Sequence, residues 1–282
     1  MALVLDIDDP ADPRLDDFRD LNSVDRRPDL PTGKALVIAE GVLVVQRMLR
    51  SRFTPFALMG NDRRLAELRD DLDLFSSRGM LNGTDADLPY YRVEPDVMAD
   101  VVGFHLNRGV LGAARRPQEN SVSDVLAGAR TVAVLEGVND HENLGSIFRN
   151  AAGLGVDAVL FGPGCADPLY RRAVRVSMGH VLLVPFARVD AWPAGLNLLK
   201  DNGFRVLAMT PDPTAPALAD AIAPLCDDRI AFLVGAEGPG LTRHAMRAAD
   251  VRVRIPMSRN TDSLNVATAA ALAFYERART RG

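Results

Sequence analysis

From residue 131 onward, short apolar runs alternate with segments of helical period. TVAVLEGV (131–138) is a continuous apolar run of strand length, the pattern of a strand buried on both faces. NLGSIFRNAAGLG (143–155) follows with helical spacing and closes on glycine, a helix C-terminal signal. The alternation continues with a strand and turn at DAVLFGPG (157–164), a helix at PLYRRAVRVSMGH (168–180) and a strand at VLLVPFA (181–187). A helix over 194–202 ends at Gly203, and RVLAMT (205–210) is a strand. RIAFLVGAEG (229–238) runs as a strand into a glycine-rich loop, VRVRIPM (251–257) is a further strand, and LNVATAAALAFYERA (264–278) is a long alanine-rich helix. Strands alternating with helices predict an α/β domain with a parallel sheet covered on both faces.

The N-terminal part carries a weaker pattern of the same kind. Residues 33–50 read as one helix-sized segment, PFALMG (55–60) as a strand, 63–72 as a helix and 90–93 as a short strand. Pro95 suits the first turn of another helix. The polar stretch ARRPQENSVSD (114–124) holds a proline and separates the two patterned regions, as a boundary does. The expected organisation is a smaller α/β domain over 1–115, a linker over 116–127 and a larger domain over 128–282.

Composition adds limits rather than a function. The chain has 282 residues, 48% hydrophobic and 25% charged, ordinary for a globular protein with room for a sizeable core. The apolar runs are strand-sized, so no membrane span is expected. The first residues are acidic and lack the basic and long apolar regions of a signal peptide. Cys165 and Cys226 lie far apart and outside any CxxC spacing, which argues against a disulfide framework or zinc site. His105, His141, His180 and His244 are scattered without ligand spacing, so no metal is expected. The cytoplasm is the expected compartment. The net charge of −4 is unevenly spread: residues 1–100 carry 13 basic and 20 acidic groups, residues 101–282 carry 20 and 17. Lysine occurs only at Lys34 and Lys200, so nearly all positive charge is arginine, the better fork for phosphate.

Two glycine patterns bear on chemistry. Gly153, Gly155 and Ala158 match G-x-G-x-x-A by letters, but they follow a predicted helix and lead into a strand. A dinucleotide fingerprint must follow a strand and open a helix, so this one reads as a helix C-cap and counts against a nicotinamide-dependent oxidoreductase. The second pattern, Gly235 to Leu241, does follow a strand, at the edge where α/β proteins place ligands. A plain turn is its simpler reading.

Taken together and in order, these segments resemble the SpoU branch of the SPOUT RNA methyltransferases. Asn143, Gly145 and Arg149 fit N-x-G-x-x-x-R, FLVGAEGPGL (232–241) is similar to the second family motif, and IPMSRNTDSLNVATAA (255–270) to the third. RRAVRVSMG (171–179) is similar to a further family segment. AEGVL (39–43) and GFHLNRGVL (103–111) resemble, more weakly, the L30e-like substrate-binding domain often fused in front. The resemblance implies an α/β SPOUT domain with a deep trefoil knot, S-adenosylmethionine as cofactor, rRNA or tRNA as partner, and a homodimer whose active site uses both subunits. The implied reaction is methylation of a ribose 2′-hydroxyl. A catalytically silent RNA-binding, ribosome-associated protein of the same fold is the alternative.

The resemblance implies catalytic parts for Asn143, Arg149, Glu237, Ser263 and Asn265. A ribose hydroxyl is a poor nucleophile, so positioning and stabilisation of a developing alkoxide dominate. Arg149 suits that electrostatic part better than the part of a base, since a guanidinium hardly deprotonates. Glu237 orients Arg149, binds RNA ribose, or is a solvated loop carboxylate. Ser263 and Asn265 bracket Leu264 at the entrance of the last helix, where simple capping competes with a site role; a capped turn would also hold Asn265 at the site. The implied cofactor contacts are Thr210, Leu233, Gly235, Ile255, Met257 and Leu264, with core packing the plainer role for Ile255 and Leu264. Arg149, Arg171, Arg172 and Arg175 are the candidate RNA-contacting set, against salt-bridge decoration of a helix. Arg259 and Asn260 depart from the small residues the family carries there, which bears on the shape of the third loop.

Overall fold

The computed structural model of the protein describes residues 3–21, 34–81, 87–258 and 261–281. The chain forms two units, Met1–Gln118 with Leu169–Leu183, and Glu119–Pro168 with Val184–Gly282.

The first unit contains β1 (Leu3–Asp6), β2 (Val37–Glu40), α1 (Val42–Arg50), β3 (Pro55–Gly60), α2 (Asp62–Leu81), β4 (Pro89–Arg92), α3 (Pro95–Val102) and β5 (Val110–Ala114). Its mixed sheet has the order β1-β4-β3-β5-β2. β4 runs parallel to β1 and β3, whereas β5 is antiparallel to β2 and β3. The single helix expected over 33–50 is instead a strand and a helix, with residue 33 outside the described residues. β2 is buried throughout, and α1 buries Val44, Val45, Met48 and Leu49. Gly41, at φ +93°, turns the chain between them, a conformation that L side chains rarely adopt. The two apolar stretches adjoin without a polar break, so periodicity merges them.

The second unit begins inside the expected linker. α4 (Val122–Leu126) is closed by a reciprocal capping box between Ser121 and Asp124, and it buries Val125 and Leu126. Six parallel strands follow in the order β11-β9-β10-β6-β7-β8. β6 (Thr131–Glu136), α5 (His141–Gly153) and β7 (Ala158–Phe161) lie as the sequence pattern predicts. α5 ends as a C-cap: Val156 N–H reaches Ala151 O at 2.9 Å and Gly155 has φ +72°, the closing geometry that glycine favours.

The chain then enters the first unit, where α6 (Arg171–Val176) and a 3-10 turn at His180–Leu182 bury Ala173, Val174, Val181 and Leu182. The expected helix over 168–180 is therefore one short segment of it, and the first residues of the expected strand over 181–187 are a turn. β8 (Phe186–Arg188), α7 (Leu196–Asp201), β9 (Phe204–Met209), α8 (Leu218–Ile222), β10 (Arg229–Gly235), α9 (Arg243–Ala248), β11 (Val251–Val253) and α10 (Val266–Arg281) complete the second unit. β11 is only the beginning of the strand expected over 251–257.

Both faces of the parallel sheet are covered. On one face Val132, Val134, Ala231 and Leu233 pack with Leu126 of α4, Leu196 and Leu199 of α7, and Ala245 of α9. The alternate positions meet aromatic rings: Phe148 of α5 lies 6.1 Å from Phe161 and 5.8 Å from Phe186, and Phe232 lies 6.1 Å from Phe274 of α10. Arg277 on α10 is 1% exposed and donates to the carbonyls of Leu225, Cys226 and Asp228. Arg277→Ala strips three carbonyls of their donor and is expected to cost on the order of 3–5 kcal/mol, read as a lowered denaturation midpoint. The two cysteines are free thiols. Cys226 is exposed, while Cys165 is half-buried, donates to Leu135 O at 3.3 Å, and has its thiol pKa pushed up by burial. Brief iodoacetamide treatment at pH 8 is expected to label Cys226 first, with Cys165 following only on unfolding, as peptide mass spectrometry would show.

Candidate active site

The second unit holds a cleft of about 600 Å3 at the carboxyl ends of β9 and β10, a volume in the range of small-molecule sites. Its floor comes from Met209, Thr210, Val234 and Gly235, where the strands end. One wall is the glycine-rich loop from Ala236 to Leu241, and the other is formed by Ile255, Met257 and the residues Ser263 to Val266 that lead into α10.

The loop turns sharply. Gly240 N–H donates to Ala236 O at 3.0 Å, and the two residues form an antiparallel bridge. A Cβ on Gly235 would lie 2.3 Å from Leu241 N and 2.4 Å from Gly240 C, so only glycine lets the returning backbone pass. The loop thereby presents main chain to the cleft and leaves Glu237 exposed at its tip.

Asn265 joins the walls. Its side-chain oxygen accepts from Ala267 N–H at 3.0 Å and Thr268 N–H at 3.2 Å, capping α10. Its amide nitrogen donates to Asn143 Oδ1 and Glu237 Oε1, both at 2.7 Å. Capping and site assembly are thus one residue's work. Asn143 is held in turn by Asp140, the N-cap of α5, which accepts from the Glu142 and Asn143 N–H groups at 2.8 Å. A second tie, Asn150 Nδ2 to Ala267 O at 3.2 Å, fastens α5 to the first turn of α10.

The structure therefore brings together Asn143, Glu237 and Asn265, with Ser263 exposed on the cleft wall. Of the residues named as cofactor contacts, Thr210, Gly235, Ile255, Met257 and Leu264 line the cleft, and Leu233 is fully buried in the core behind the sheet. Strand alternation explains this, because Leu233 faces α4, α7 and α9 rather than the strand end. Arg149 is exposed on α5, outside the cleft wall, and its guanidinium makes no hydrogen bond or ion pair among the described residues. It lies six residues beyond Asn143, about 9 Å along the helix axis, and is not among the residues that line the cleft.

Arg171, Arg172 and Arg175 belong to the first unit. Arg171 is not a free phosphate ligand: it donates to buried Glu40 at 2.9 Å and to Leu21 O, and lies 5.1 Å from the centre of the Phe104 ring. A helix-surface reading missed this because Glu40 lies 131 residues away. Arg172 is exposed and Arg175 half-buried. Arg259 and Asn260 lie outside the described residues. Met209, Pro239 and Met246, which the motifs do not single out as contacts, also line the cleft; Met246 stands on α9, a helix too short for its pattern to be read. Among the described residues no group of three or more His, Cys, Asp or Glu side chains is placed to hold a metal, and no helix is long and apolar enough to cross a membrane.

A parallel α/β sheet with its cleft at the carboxyl edge, walled by a glycine loop and a helix entrance, defines a ligand-binding α/β protein. The chain belongs to the SpoU rRNA methylase family, whose model matches residues 130–275. It is 74% identical over 277 residues to an uncharacterised tRNA/rRNA methyltransferase of Mycobacterium tuberculosis, covering 98% of this chain and 92% of that protein. Its fold is similar to the AdoMet-bound rRNA methyltransferase of Sinorhizobium meliloti, at TM-score 0.77 and 22% identity, with 98% of each chain covered. An RNA 2′-O ribose methyltransferase is similar at TM-score 0.72 and 25% identity, covering 98% of this chain and 99% of that one.

Gly235→Ala is expected to force the returning loop outward and to cost about 1–3 kcal/mol, as overpacking does. Equilibrium unfolding reads the cost, and an altered amide signal pattern confined to residues 235–241 reads the displacement.

Proposed function

We propose that the protein transfers the methyl group of S-adenosylmethionine to a ribose 2′-hydroxyl of rRNA or tRNA. The observation that carries this is the Asn143–Asn265–Glu237 cluster at the mouth of a nucleoside-sized cleft, built from all three motif segments. Membership of the SpoU family supports it, as do a fold neighbour solved with AdoMet and another described as a 2′-O ribose enzyme.

The cleft suits the cofactor. Ile255, Met257 and Leu264 offer apolar surface to an adenine ring, while Thr210 and Gly235 offer main chain at the strand ends, the usual division in small-ligand pockets. When bound, the sulfonium supplies an electrophilic methyl and leaves as a neutral thioether. The protein has to orient the hydroxyl and stabilise negative charge on its oxygen as its proton passes to solvent. Arg149 suits the stabilising role, since its guanidinium stays charged and no carboxylate among the described residues neutralises it. Glu237, tied to Asn265, holds the ribose in this reading.

Because Arg149 stands outside the cleft of its own chain, we assign it to the cofactor of a second copy in a homodimer. The homodimer and trefoil knot of the family resemblance belong to the same proposal, as does RNA recognition by the first unit, with Arg172 and Arg175 on its surface. Cytoplasmic RNA is the proposed substrate pool.

Mapping 2′-O-methylation in total RNA from cells with and without the protein is expected to reveal a site lost on deletion. The wild type restores it and Arg149→Ala does not, with transfer down roughly a hundredfold or more and cofactor affinity within about threefold by calorimetry. Binding of RNA without methyl transfer would mark a silent binding protein instead. Mixing Arg149→Ala subunits with Gly235→Ala subunits is expected to recover part of the activity, since one site of the mixed dimer is intact; no recovery argues against shared sites.

A further inference from the structure

Glu136 plays no part in the chemistry above, yet it holds the residue that directly follows the glycine-rich wall. It is the last residue of β6, 5% exposed, with both carboxylate oxygens occupied. Oε1 accepts from Trp192 Nε1 at 2.5 Å and Thr242 Oγ1 at 2.9 Å, and Oε2 accepts from Thr242 N–H at 2.8 Å. None of these donors is a cation. Burying a carboxylate against neutral donors alone carries a desolvation cost that an apolar residue of similar size avoids. The placement therefore calls for a role other than bulk stability.

Thr242 directly follows Leu241, the end of the cleft wall, and is the N-cap of α9, its hydroxyl accepting from Ala245 N–H at 3.2 Å. At the other end of the loop, Gly235 stands in register with Glu136 between β10 and β6. One residue thus meets the loop where it leaves the sheet and where it re-enters a helix. Only residues 236–241 lie between these points, so fixing both ends removes most of the loop's freedom before a ligand arrives. Trp192 sets the carboxylate's direction. Its ring lies against Gly162, where a Cβ would be 2.8 Å from the indole, so the N–H donor is itself immobilised by packing.

We infer that Glu136 is a positioning residue that presets the glycine loop in its ligand-ready shape without touching the ligand. The inference rests on the reading of the cleft as the S-adenosylmethionine site. It is tested with the full-length protein and Glu136→Gln, which keeps the shape but replaces one acceptor by a donor facing other donors.

Losing one charge-assisted hydrogen bond predicts that S-adenosylmethionine Kd rises about tenfold or more, with RNA affinity unchanged. Amide exchange over 236–242 is expected to accelerate by a similar factor, while exchange in α5 and α7 stays at the wild-type rate. Thr242→Val, which keeps the backbone donor and loses the hydroxyl, is expected to move both readouts in the same direction by about threefold; it decides the matter if Glu136→Gln fails to fold. Wild-type loop exchange and cofactor affinity in the folded variants overturn the inference, as does acceleration spread evenly over the second unit. If the wild type binds no S-adenosylmethionine, the functional reading fails, and loop exchange alone still decides the role of Glu136.

Discussion

The architecture of the site depends on a single carboxamide. Asn265 spends its oxygen on the first turn of α10 and its nitrogen on Asn143 and Glu237. Four partners on three separate segments thereby share one planar group whose orientation is fixed by its two different ends. Neither aspartate nor leucine reproduces this, although both match Asn in size: the first has no donor, the second no polarity. The consequence is geometric coupling. The helix that closes the cleft cannot shift without disturbing the loop that walls it and the start of α5.

This half of the protein is readable because β6, β7 and β10 are apolar on both faces and α5 carries a helical period of its own. β6, α5, β7, β9 and β10 appear where the pattern places them. Elements that are short, or joined without a polar break, carry no separate pattern. β2 and α1 adjoin as one apolar stretch, β8 continues the apolar run of the 3-10 turn before it, and α4 is a five-residue helix in a polar stretch, marked by the capping pair Ser121 and Asp124. At the site, the motif residues that meet through their side chains were legible, and Leu233 was not, because the motif does not say which face of a strand a residue occupies. Glu136 left no signal at all. Within TVAVLEGV it is merely a charge at the end of an apolar run, and its partners lie 56 and 106 residues away.

Arginine usage shows the same limit from another side. All but two of the 33 basic residues are arginine, which in composition alone suggests nucleic acid. Several are instead committed to holding main chain together. Arg277 gathers the carbonyls before β10, and Arg229 donates to Leu126, Ala129 and Asn202 while its guanidinium sits 4.3 Å from the Phe204 ring centre. Arg171 balances a buried glutamate. A planar fork that stays charged suits interior carbonyls as well as phosphate, so the count of arginines overstates the cationic surface, and an isolated one such as Arg149 stands out only once the others are accounted for.

The excursion of residues 169–183 into the first unit bears on how such a protein is made and inherited. Met1–Gln118 is not a finished body when it leaves the ribosome, because Ala173, Val174, Val181 and Leu182 are still to be synthesised. Its completion waits until the early strands of the second unit have already emerged, so the two halves mature together rather than one after the other. A gene fragment cut at residue 128 would carry that apolar stretch with nothing to cover it. Recombination that exchanges one half for a foreign module must therefore preserve the excursion as well, which binds the first unit and the cleft-bearing second unit into one heritable unit.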